Sequence, residues 1–249
     1  MNVLVTGGGT IAPIDDVRRI VNLSTGRFSA MLSEAFLRHG CRVTHLFAPG
    51  AQRPFRRQAG FDLDGEDPAG ELQRLARLRD EWHALRRRYT EIPLQNGTVL
   101  DYARTLGTAL RTNRFDLILL AMAVSDYEPE PRLGKLESSA ETLEISCRRT
   151  PKVILAVRGL APDAYLAGFK LLSGSTDQEL LNAAREACRV NRSDATIAND
   201  LTSLREGRHE VRLVPSRGPA ESFGPGDDLA DRLAARLLER ARADRGMLT

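Results

Sequence analysis

The chain has 249 residues, with 36 lysines and arginines against 33 aspartates and glutamates and a formal net charge of +3. This length suits one α/β domain with a substantial core, and the near balance of charges argues against the basic surface that nucleic-acid-binding domains carry. Aromatic residues make up only 5% of the chain, so few side chains are available to stack on bases. We therefore expect no nucleic-acid partner.

The cysteines and the apolar runs indicate the compartment. Cys41, Cys147 and Cys188 are odd in number, widely spaced and without a CxxC pattern, which favours free thiols over a disulfide framework or a zinc site. The chain enters an apolar strand at once, without a charged leader, and no apolar run approaches the roughly 18 residues of a membrane span. We expect a cytoplasmic protein with no membrane partner.

The first 40 residues carry the strongest local pattern. An apolar strand over residues 3–5 leads into three consecutive glycines, and a second turn over residues 22–26 precedes a helix with apolar residues at helical spacing. Glycines let backbone N–H groups approach a ligand, and Ser24 or Thr25 can cap a helix whose positive end favours a phosphate. The stretch predicts an anion site.

Strands and helices then alternate along most of the chain. The patterns predict strands over residues 41–48, 92–94, 115–124, 142–147, 165–172, 195–198 and 209–214. They predict helices over residues 72–89, 99–110, 177–190 and 228–240, a short helix from Pro151, and loops over residues 128–133 and 218–226. This alternation predicts a doubly wound, mostly parallel sheet in a Rossmann-like three-layer α/β fold, formed by a single domain over residues 1–249.

Residues 51–93 interrupt the alternation, and we interpret them as a helical, arginine-rich insertion. The helix predicted within them surrounds its apolar residues with arginines. These arginines form either a solvated face or a surface that helps to bind an acidic substrate.

Polar residues follow the predicted strands at the edge where open α/β sheets bind ligands. The continuous apolar run over residues 115–124 is typical of a strand buried on both faces, and it ends at Ser125 and Asp126. We expect these residues to lie near the glycines, together with the pairs that end two later strands, namely Phe169 with Lys170 and Asn199 with Asp200.

A dinucleotide site is an alternative for the glycine stretch. Residues 7–12 satisfy the GxGxxA pattern, but Pro13 and two aspartates follow where the fingerprint needs a helix. The second strand also ends without an acidic residue for a ribose. An NAD(P)-dependent reductase and a purely structural glycine turn therefore stay as alternatives to an anion site.

Six segments, in order, resemble the phosphopantothenate–cysteine ligase family. They are TGGGT with PID at residues 6–15, NLSTG at 22–26, AVSDY at 123–127, KLESS at 135–139, GFKL at 168–171 and AND at 198–200. The AVSDY and FKL forms look more like the free-standing ligases than the ligase half of the bifunctional bacterial flavoprotein. Residues 51–93 fall outside the resemblance.

The resemblance implies a reaction in coenzyme A biosynthesis. Members of the family join the carboxylate of 4′-phosphopantothenate to the amine of cysteine through an acyl nucleotide, with ATP or CTP as co-substrate and Mg²⁺. Such a reaction develops charge on phosphoryl oxygens and needs cations and backbone donors more than a strong base. The chain accordingly offers no evident Ser-His-Asp or Cys-His set, no directly identifiable metal ligands and no ligand spacing among its four histidines.

The resemblance also implies residue roles. Asn22 matches the asparagine that holds the acyl nucleotide and admits cysteine, and Lys135 matches the lysine of a flap over the triphosphate. The nucleotide-binding positions are Gly7, Gly8, Gly9, Thr10, Ala123, Ser125, Asp126, Phe169 and Lys170. The positions for substrate and phosphate are Ser24, Thr25, Gly26, Arg27, Asn199 and Asp200. From sequence alone, the alternatives are a turn residue for Asn22, a solvated lysine for Lys135, an Asx turn for Asp126 and a core residue for Phe169.

The resemblance implies that residues 128–150 form the flap and strands that join two subunits, so we expect a homodimer in which residues 142–147 take part. Two departures from the family pattern are Ser29, in place of a glycine, and Glu137, in place of a basic residue. They keep a non-catalytic nucleotide-binding or regulatory relative as an alternative.

The nucleotide preference rests on the helix before the AND segment. CTP-using members carry lysines there, whereas this chain has Ala187, Arg189, Val190 and Asn191. The resemblance therefore favours ATP over CTP.

Overall fold

The structure is a computed structural model that describes residues 1–137, 139, 141–244 and 246. Its strands are β1 Asn2–Gly7, β2 Ile11–Pro13, β3 Arg19–Val21, β4 Arg42–Phe47, β5 Tyr89–Pro93, β6 Leu117–Leu120, β7 Tyr127–Pro129, β8 Cys147–Arg149, β9 Tyr165–Leu172, β10 Ala195–Asp200, β11 Val211–Pro215 and β12 Glu221–Phe223. Its α-helices are α1 Arg27–Arg38, α2 Pro68–Leu85, α3 Val99–Thr112, α4 Ile154–Leu160, α5 Asp177–Asn191, α6 Leu201–Arg205 and α7 Leu229–Asp244.

One eight-stranded sheet organises the described part of the chain, in the order β12-β11-β10-β9-β6-β1-β4-β5. The six strands from β10 to β5 run parallel, and β11 and β12 add an antiparallel edge. The chain winds outward from β1 in both directions, so the strand order reverses between β1 and β6. The predicted doubly wound, mostly parallel α/β fold is confirmed, and its ligand crevice is expected at the carboxyl ends of β1 and β6.

Helices cover both faces of the sheet. Val3 and Val5 of β1 contribute to a core shared with α1 and α7, whereas Leu4 contributes to a second core with α3 and α4. This alternation follows the two-residue period of a strand. Because β6 is buried on both faces, its sequence is continuously apolar instead of alternating.

The flap region differs from the sequence prediction. Residues 142–147 were expected to form a strand, but only Cys147–Arg149 does so, and it pairs antiparallel with Tyr127–Pro129. The segment expected as a loop over residues 128–133 therefore contributes part of a strand. That strand ends at Pro129, which has no N–H to donate, so no strand among the described residues pairs with Leu143 or Ile145 despite their alternation.

The arginine-rich segment also differs in detail. The helix expected over residues 72–89 begins at Pro68, behind an Asp67 cap that accepts the Gly70 N–H at 2.9 Å, and ends at Leu85. A 3₁₀ turn over Arg86–Arg88 then leads into β5 at the edge of the main sheet. Trp82, Leu85 and Tyr89 continue the helical spacing because all three pack on the same core. Part of the segment interpreted as an insertion is thus a sheet strand.

Smaller elements escaped the sequence prediction. They are the β2–β3 hairpin, the five-residue helix α6 and the three-residue strand β12. The strand expected over residues 115–124 is shorter, because the chain leaves the sheet after Leu120. None of the helices in the described part of the chain has the length and apolar character that a membrane-spanning helix requires.

Candidate functional site

The turn after β1 and the loop after β6 are joined at the point where the strand order reverses. The Ala123 N–H donates to the Gly8 carbonyl and the Thr10 N–H donates to the Ala123 carbonyl, both at 2.9 Å. The Ser125 N–H donates to Thr10 Oγ1 at 2.9 Å. Two of the predicted nucleotide-binding segments therefore form one rigid floor at the expected crevice.

Close neighbours explain two of the three glycines. A Cβ on Gly9 would lie 2.4 Å from the Asn22 carbonyl oxygen, and a Cβ on Gly7 would lie 1.9 Å from Ser29 Oγ. Both distances are far below a van der Waals contact, so a side chain at either position would displace the second turn or helix α1. The glycines thus allow residues 22–29 to approach the turn after β1.

Asn22 is fixed on this floor by its own side chain. Its Nδ2 donates to the Ala123 carbonyl at 3.0 Å, and its backbone N–H donates to the Thr10 carbonyl at 3.3 Å. The side chain is half-buried. Asn22 is therefore held at the crevice beside the glycine turn.

The start of α1 supplies positive charge next to the glycine turn. Gly26 is the N-cap, in the left-handed region at φ 72°, and has no side chain to cap the helix. Neither Ser24 nor Thr25 therefore holds the N-cap position, although Thr25 Oγ1 accepts the Arg27 N–H, the first of the helix, at 3.3 Å. Uncapped first-turn N–H groups and the helix dipole favour an anion. Arg27 is exposed and has no carboxylate partner among the described residues.

Ser29, which departs from the family pattern, has a local explanation. Its hydroxyl donates to the Gly26 carbonyl at 2.7 Å, and the residue is buried. The serine fits because Gly7 has no side chain. It therefore stabilises the first turn of α1 from the side that faces the sheet.

Phe169 belongs to a small aromatic group beside the start of α1. Its ring lies 6.2 Å from that of Phe28, and the Phe28 ring lies 4.4 Å from that of His209. Burial, and then the charge of Arg27, lower the pKa of His209. The sequence did not point to Phe28 or His209, since neither belongs to a spacing pattern.

The pleat of the sheet separates the residues that end β9 and β10. Phe169 shares the face of the α1 core, so its strand neighbour Lys170 lies on the opposite face. Asp200 also lies on that opposite face and accepts hydrogen bonds from the Ser175 N–H at 3.0 Å and the Thr202 N–H at 2.8 Å. These bonds hold the pKa of Asp200 well below its usual range. Its carboxylate is thus engaged in fixing the adjacent loops.

Asp126 forms an ion pair that the sequence did not predict. Its Oδ1 lies 2.5 Å from Lys152 Nζ, and the Thr150 N–H donates to the Asp126 carbonyl at 3.0 Å. Lys152 is exposed and follows Pro151 at the start of the segment that leads to α4. The sequence did contain a signal for Lys152: the chain has only three lysines, and the other two, Lys135 and Lys170, are both candidate site residues.

The flap around Lys135 is held by the β2–β3 hairpin. The Leu136 N–H donates to Asp15 Oδ2 at 3.0 Å, and the Gly134 N–H donates to Asp16 Oδ2 at 3.1 Å. The Leu136 N–H, together with further bonds from residues 17 and 18, lowers the pKa of Asp15 to about 2. Both neighbours of Lys135 are therefore fixed, while its own side chain is exposed and makes no hydrogen bond to the described residues. Ser138 and Ala140 of the predicted flap lie outside those residues.

A divalent cation would find few protein ligands here. Across residues 1–137, 139, 141–244 and 246, no three His, Cys, Asp or Glu side chains form a metal-binding group. Mg²⁺ commonly uses one or two carboxylates together with substrate phosphates. The exposed Asp126 carboxylate at the crevice fits that mode.

Comparison with known proteins matches most of the chain to one family. Residues 1–60 and 102–242 match the model of the DNA/pantothenate metabolism flavoprotein C-terminal domain. The human phosphopantothenate–cysteine ligase is 32% identical, over 81% of this chain and 72% of its own length. Two bifunctional coenzyme A biosynthesis proteins CoaBC are similar, from Methanocaldococcus jannaschii at 28% identity over 94% of this chain and from Thermococcus kodakarensis at 27% over 98%. The chain spans about half of their length, 50% and 49% respectively.

Solved structures share the fold. The DNA/pantothenate metabolism flavoprotein from Streptococcus pneumoniae matches with a TM-score of 0.74 at 24% identity, over 98% of this chain and 99% of that one. A Cab2 variant in complex with phosphopantothenate-cysteine matches with a TM-score of 0.81 at 19% identity, over 99% of this chain and 88% of that one. The matched domain and the human relative show that the chain belongs to the phosphopantothenate–cysteine ligase family.

Proposed function

We propose that this chain joins the carboxylate of 4′-phosphopantothenate to the amine of cysteine through an acyl-nucleotide intermediate. The observation that carries the proposal is the placement of Asn22, whose amide is fixed on the Ala123 carbonyl beside the glycine turn. The uncapped start of α1 lies at the same crevice. An anion and a polar reacting group can thus be held side by side.

The triphosphate is proposed to lie on the glycine turn. We assign its binding to backbone N–H groups of the turn and of the first turn of α1, together with three exposed cations: Arg27, Lys135 and Lys152. Mg²⁺ would supply further charge neutralisation on the phosphoryl oxygens, with Asp126 as its carboxylate ligand. The aromatic group of Phe28, Phe169 and His209 is the proposed wall of the base pocket.

The proposed reaction needs no nucleophile from the protein. A carboxylate oxygen of phosphopantothenate attacks the α-phosphorus and pyrophosphate leaves, which forms the acyl nucleotide. The amine of cysteine then attacks the acyl carbon, the nucleoside monophosphate leaves with that oxygen, and the amine loses a proton. Asn22 is proposed to orient the acyl nucleotide during the second step. Positioning and charge stabilisation supply the catalysis.

The activity assay combines the protein, phosphopantothenate, cysteine and Mg²⁺ with ATP, CTP, GTP or UTP in turn. We expect the amide product by mass spectrometry, with one pyrophosphate and one monophosphate released per amide, and faster turnover with ATP than with CTP. Lys135→Gln should lower kcat/KM by tenfold or more, because a charge-assisted contact to the triphosphate contributes about 1.5–3 kcal/mol. Arg77→Gln is the control, since Arg77 is an exposed cation on α2.

Two outcomes of this assay contradict the ligase proposal. Nucleotide binding without product for any of the four triphosphates identifies a non-catalytic nucleotide-binding or regulatory relative. Tight binding of NADPH, with none of the triphosphates bound, identifies a reductase.

We further propose that the chain is a cytoplasmic homodimer. Several exposed apolar side chains lie on the β2–β3 hairpin, just after it and on the flap, among them Val21, Leu23, Leu133, Leu143 and Ile145. We assign them to the dimer interface, because contiguous exposed apolar side chains are typical of interfaces. Sedimentation velocity should give a mass of twice 27.5 kDa, and a single monomeric species at micromolar concentration contradicts the dimer.

A further inference from the structure

A second groove lies outside the candidate active site, on the arginine-rich segment. Its volume is about 430 Å³, and it is lined by Arg56, Trp82, Arg86, Arg87, Tyr89 and Glu91. Apart from Arg56, all of these residues fall within the stretch that the family model does not match, residues 61–101. The groove lies beside the beginning of β5, whereas the glycine turn follows the end of β1. It is therefore a separate feature of this chain.

The groove carries uncompensated positive charge. Its one carboxylate, Glu91, is already paired, with Arg53 at 3.3 Å and with Arg56 at 3.6 Å. Arg86 and Arg87 are exposed and have no carboxylate partner among the residues that the structure describes. They are adjacent on a 3₁₀ turn. Both side chains line the groove, and guanidinium groups bind phosphate oxygens well.

Aromatic side chains line the same groove. The Arg56 guanidinium lies 6.0 Å from the centre of the Trp82 ring, and the Tyr89 ring stands almost perpendicular to Trp82 at 5.5 Å. The Tyr89 hydroxyl is directed into the protein, 3.3 Å from His45 Nδ1, so the polar end of the tyrosine is not available to a ligand in the groove. Planar rings and guanidinium groups provide stacking surfaces for a nucleobase.

We propose that this groove binds a nucleoside diphosphate or triphosphate, separately from the nucleotide at the glycine turn. The phosphate groups contact Arg86 and Arg87, and the base lies against Trp82 and Arg56. The groove volume falls in the range of small-molecule sites, about 300–1,000 Å³. The site does not depend on the proposed ligase reaction, because none of its residues is assigned to that reaction.

The chain supplies its own reporter, because Trp82 is its only tryptophan. Titration of the full chain with ADP should change the Trp82 fluorescence in a saturable way. Inorganic pyrophosphate, which has no base, should bind at least fivefold more weakly, and adenosine, which has no phosphate, should cause no saturable change at the same concentrations. Equal affinities for ADP and pyrophosphate would show that the base does not contact the groove, which contradicts the proposed stacking on Trp82.

Paired variants separate this groove from the glycine turn. Arg86→Gln/Arg87→Gln should weaken ADP binding, as reported by Trp82, by tenfold or more. Arg77→Gln/Arg79→Gln removes two exposed charges from α2 that do not line the groove and should leave the binding curve unchanged. The same affinity for ADP in both double variants overturns the proposal. Because the measurement needs no turnover, it can succeed or fail independently of the ligase assay.

Discussion

At the scale of single residues, Asn22 shows how a polar side chain can be fixed before a ligand arrives. Its amide is bonded to a backbone carbonyl of the neighbouring loop, so its position does not depend on a flexible partner. Preorganised polar groups of this kind stabilise a transition state without reorganisation during the reaction.

Asn22→Ala should lower kcat/KM for amide formation by about a hundredfold, because an oriented polar group at a reacting centre contributes about 2.7–4 kcal/mol. The free energy of unfolding should fall by only about 1 kcal/mol, the contribution of one hydrogen bond. Asn113→Ala is a matched control, since the Asn113 Nδ2 also donates to a backbone carbonyl, that of Ala109, at 3.2 Å. If both variants retain the same kcat/KM, the assigned role of Asn22 is wrong.

The buried side chain of His45 makes the stability of the protein depend on pH. It is fully buried beneath the glycine turn, and burial lowers its pKa to about 4, from an ordinary value near 6.5. Between these values the unfolded chain binds a proton and the folded chain does not. The free energy of unfolding should therefore fall as the pH is lowered from 6.5 to 4, by about 3 kcal/mol from this residue.

Urea unfolding at pH 7 and at pH 4.5 measures this effect for the native chain and for His45→Gln. The variant should lose less stability over the same interval, because glutamine does not titrate. An equal loss in both proteins would show that His45 does not cause the pH dependence.

At the scale of elements, the β2–β3 hairpin and the flap act together. The sequence pointed to Lys135 and to the PID segment separately, but the hydrogen bonds from Gly134 and Leu136 to Asp16 and Asp15 could not be predicted from spacing. These contacts join residues more than a hundred positions apart. We expect Asp15 to position the flap lysine.

Asp15→Asn should loosen the flap, because an amide cannot match a carboxylate that accepts several N–H groups. A lysine-specific protease tests this well, since the chain has only three lysines. Cleavage after Lys135 should be at least threefold faster in the variant than in the native chain, and saturating ATP should slow it in the native chain. Asp80→Asn, on exposed α2, is the control. An unchanged cleavage rate in Asp15→Asn would show that Asp15 does not hold the flap in place.

Local patterns predicted the long elements well and the short ones poorly. Strands such as β9 and helices such as α5 and α7 have enough apolar periodicity to be predicted from their own sequence. Residues 142–146 have the same alternation but no partner strand in the described part of the chain, because β7 ends at Pro129. A strand depends on its neighbour as much as on its own sequence.

At the scale of the whole molecule, topology explains why short motifs that are scattered over the sequence come together in space. A doubly wound sheet brings the carboxyl ends of β1 and β6 together, so residues 7–10, 22 and 123–126 meet. The same topology does not specify which face of a strand each residue occupies, and Lys170 lies opposite Phe169. The positions of Lys152 and of the groove around Trp82 depend on tertiary contacts, which no sequence motif predicts.

The acyl-nucleotide mechanism is tested most directly by following one oxygen atom. Phosphopantothenate with a heavy-oxygen-labelled carboxylate is incubated with the protein, cysteine, Mg²⁺ and ATP, and the products are analysed by mass spectrometry. We predict that one labelled oxygen appears in AMP for each amide formed, because the oxygen that attacks the α-phosphorus leaves with the nucleotide. Label in inorganic phosphate together with ADP would show an acyl phosphate instead, and amide formation with no label in AMP would contradict the mechanism.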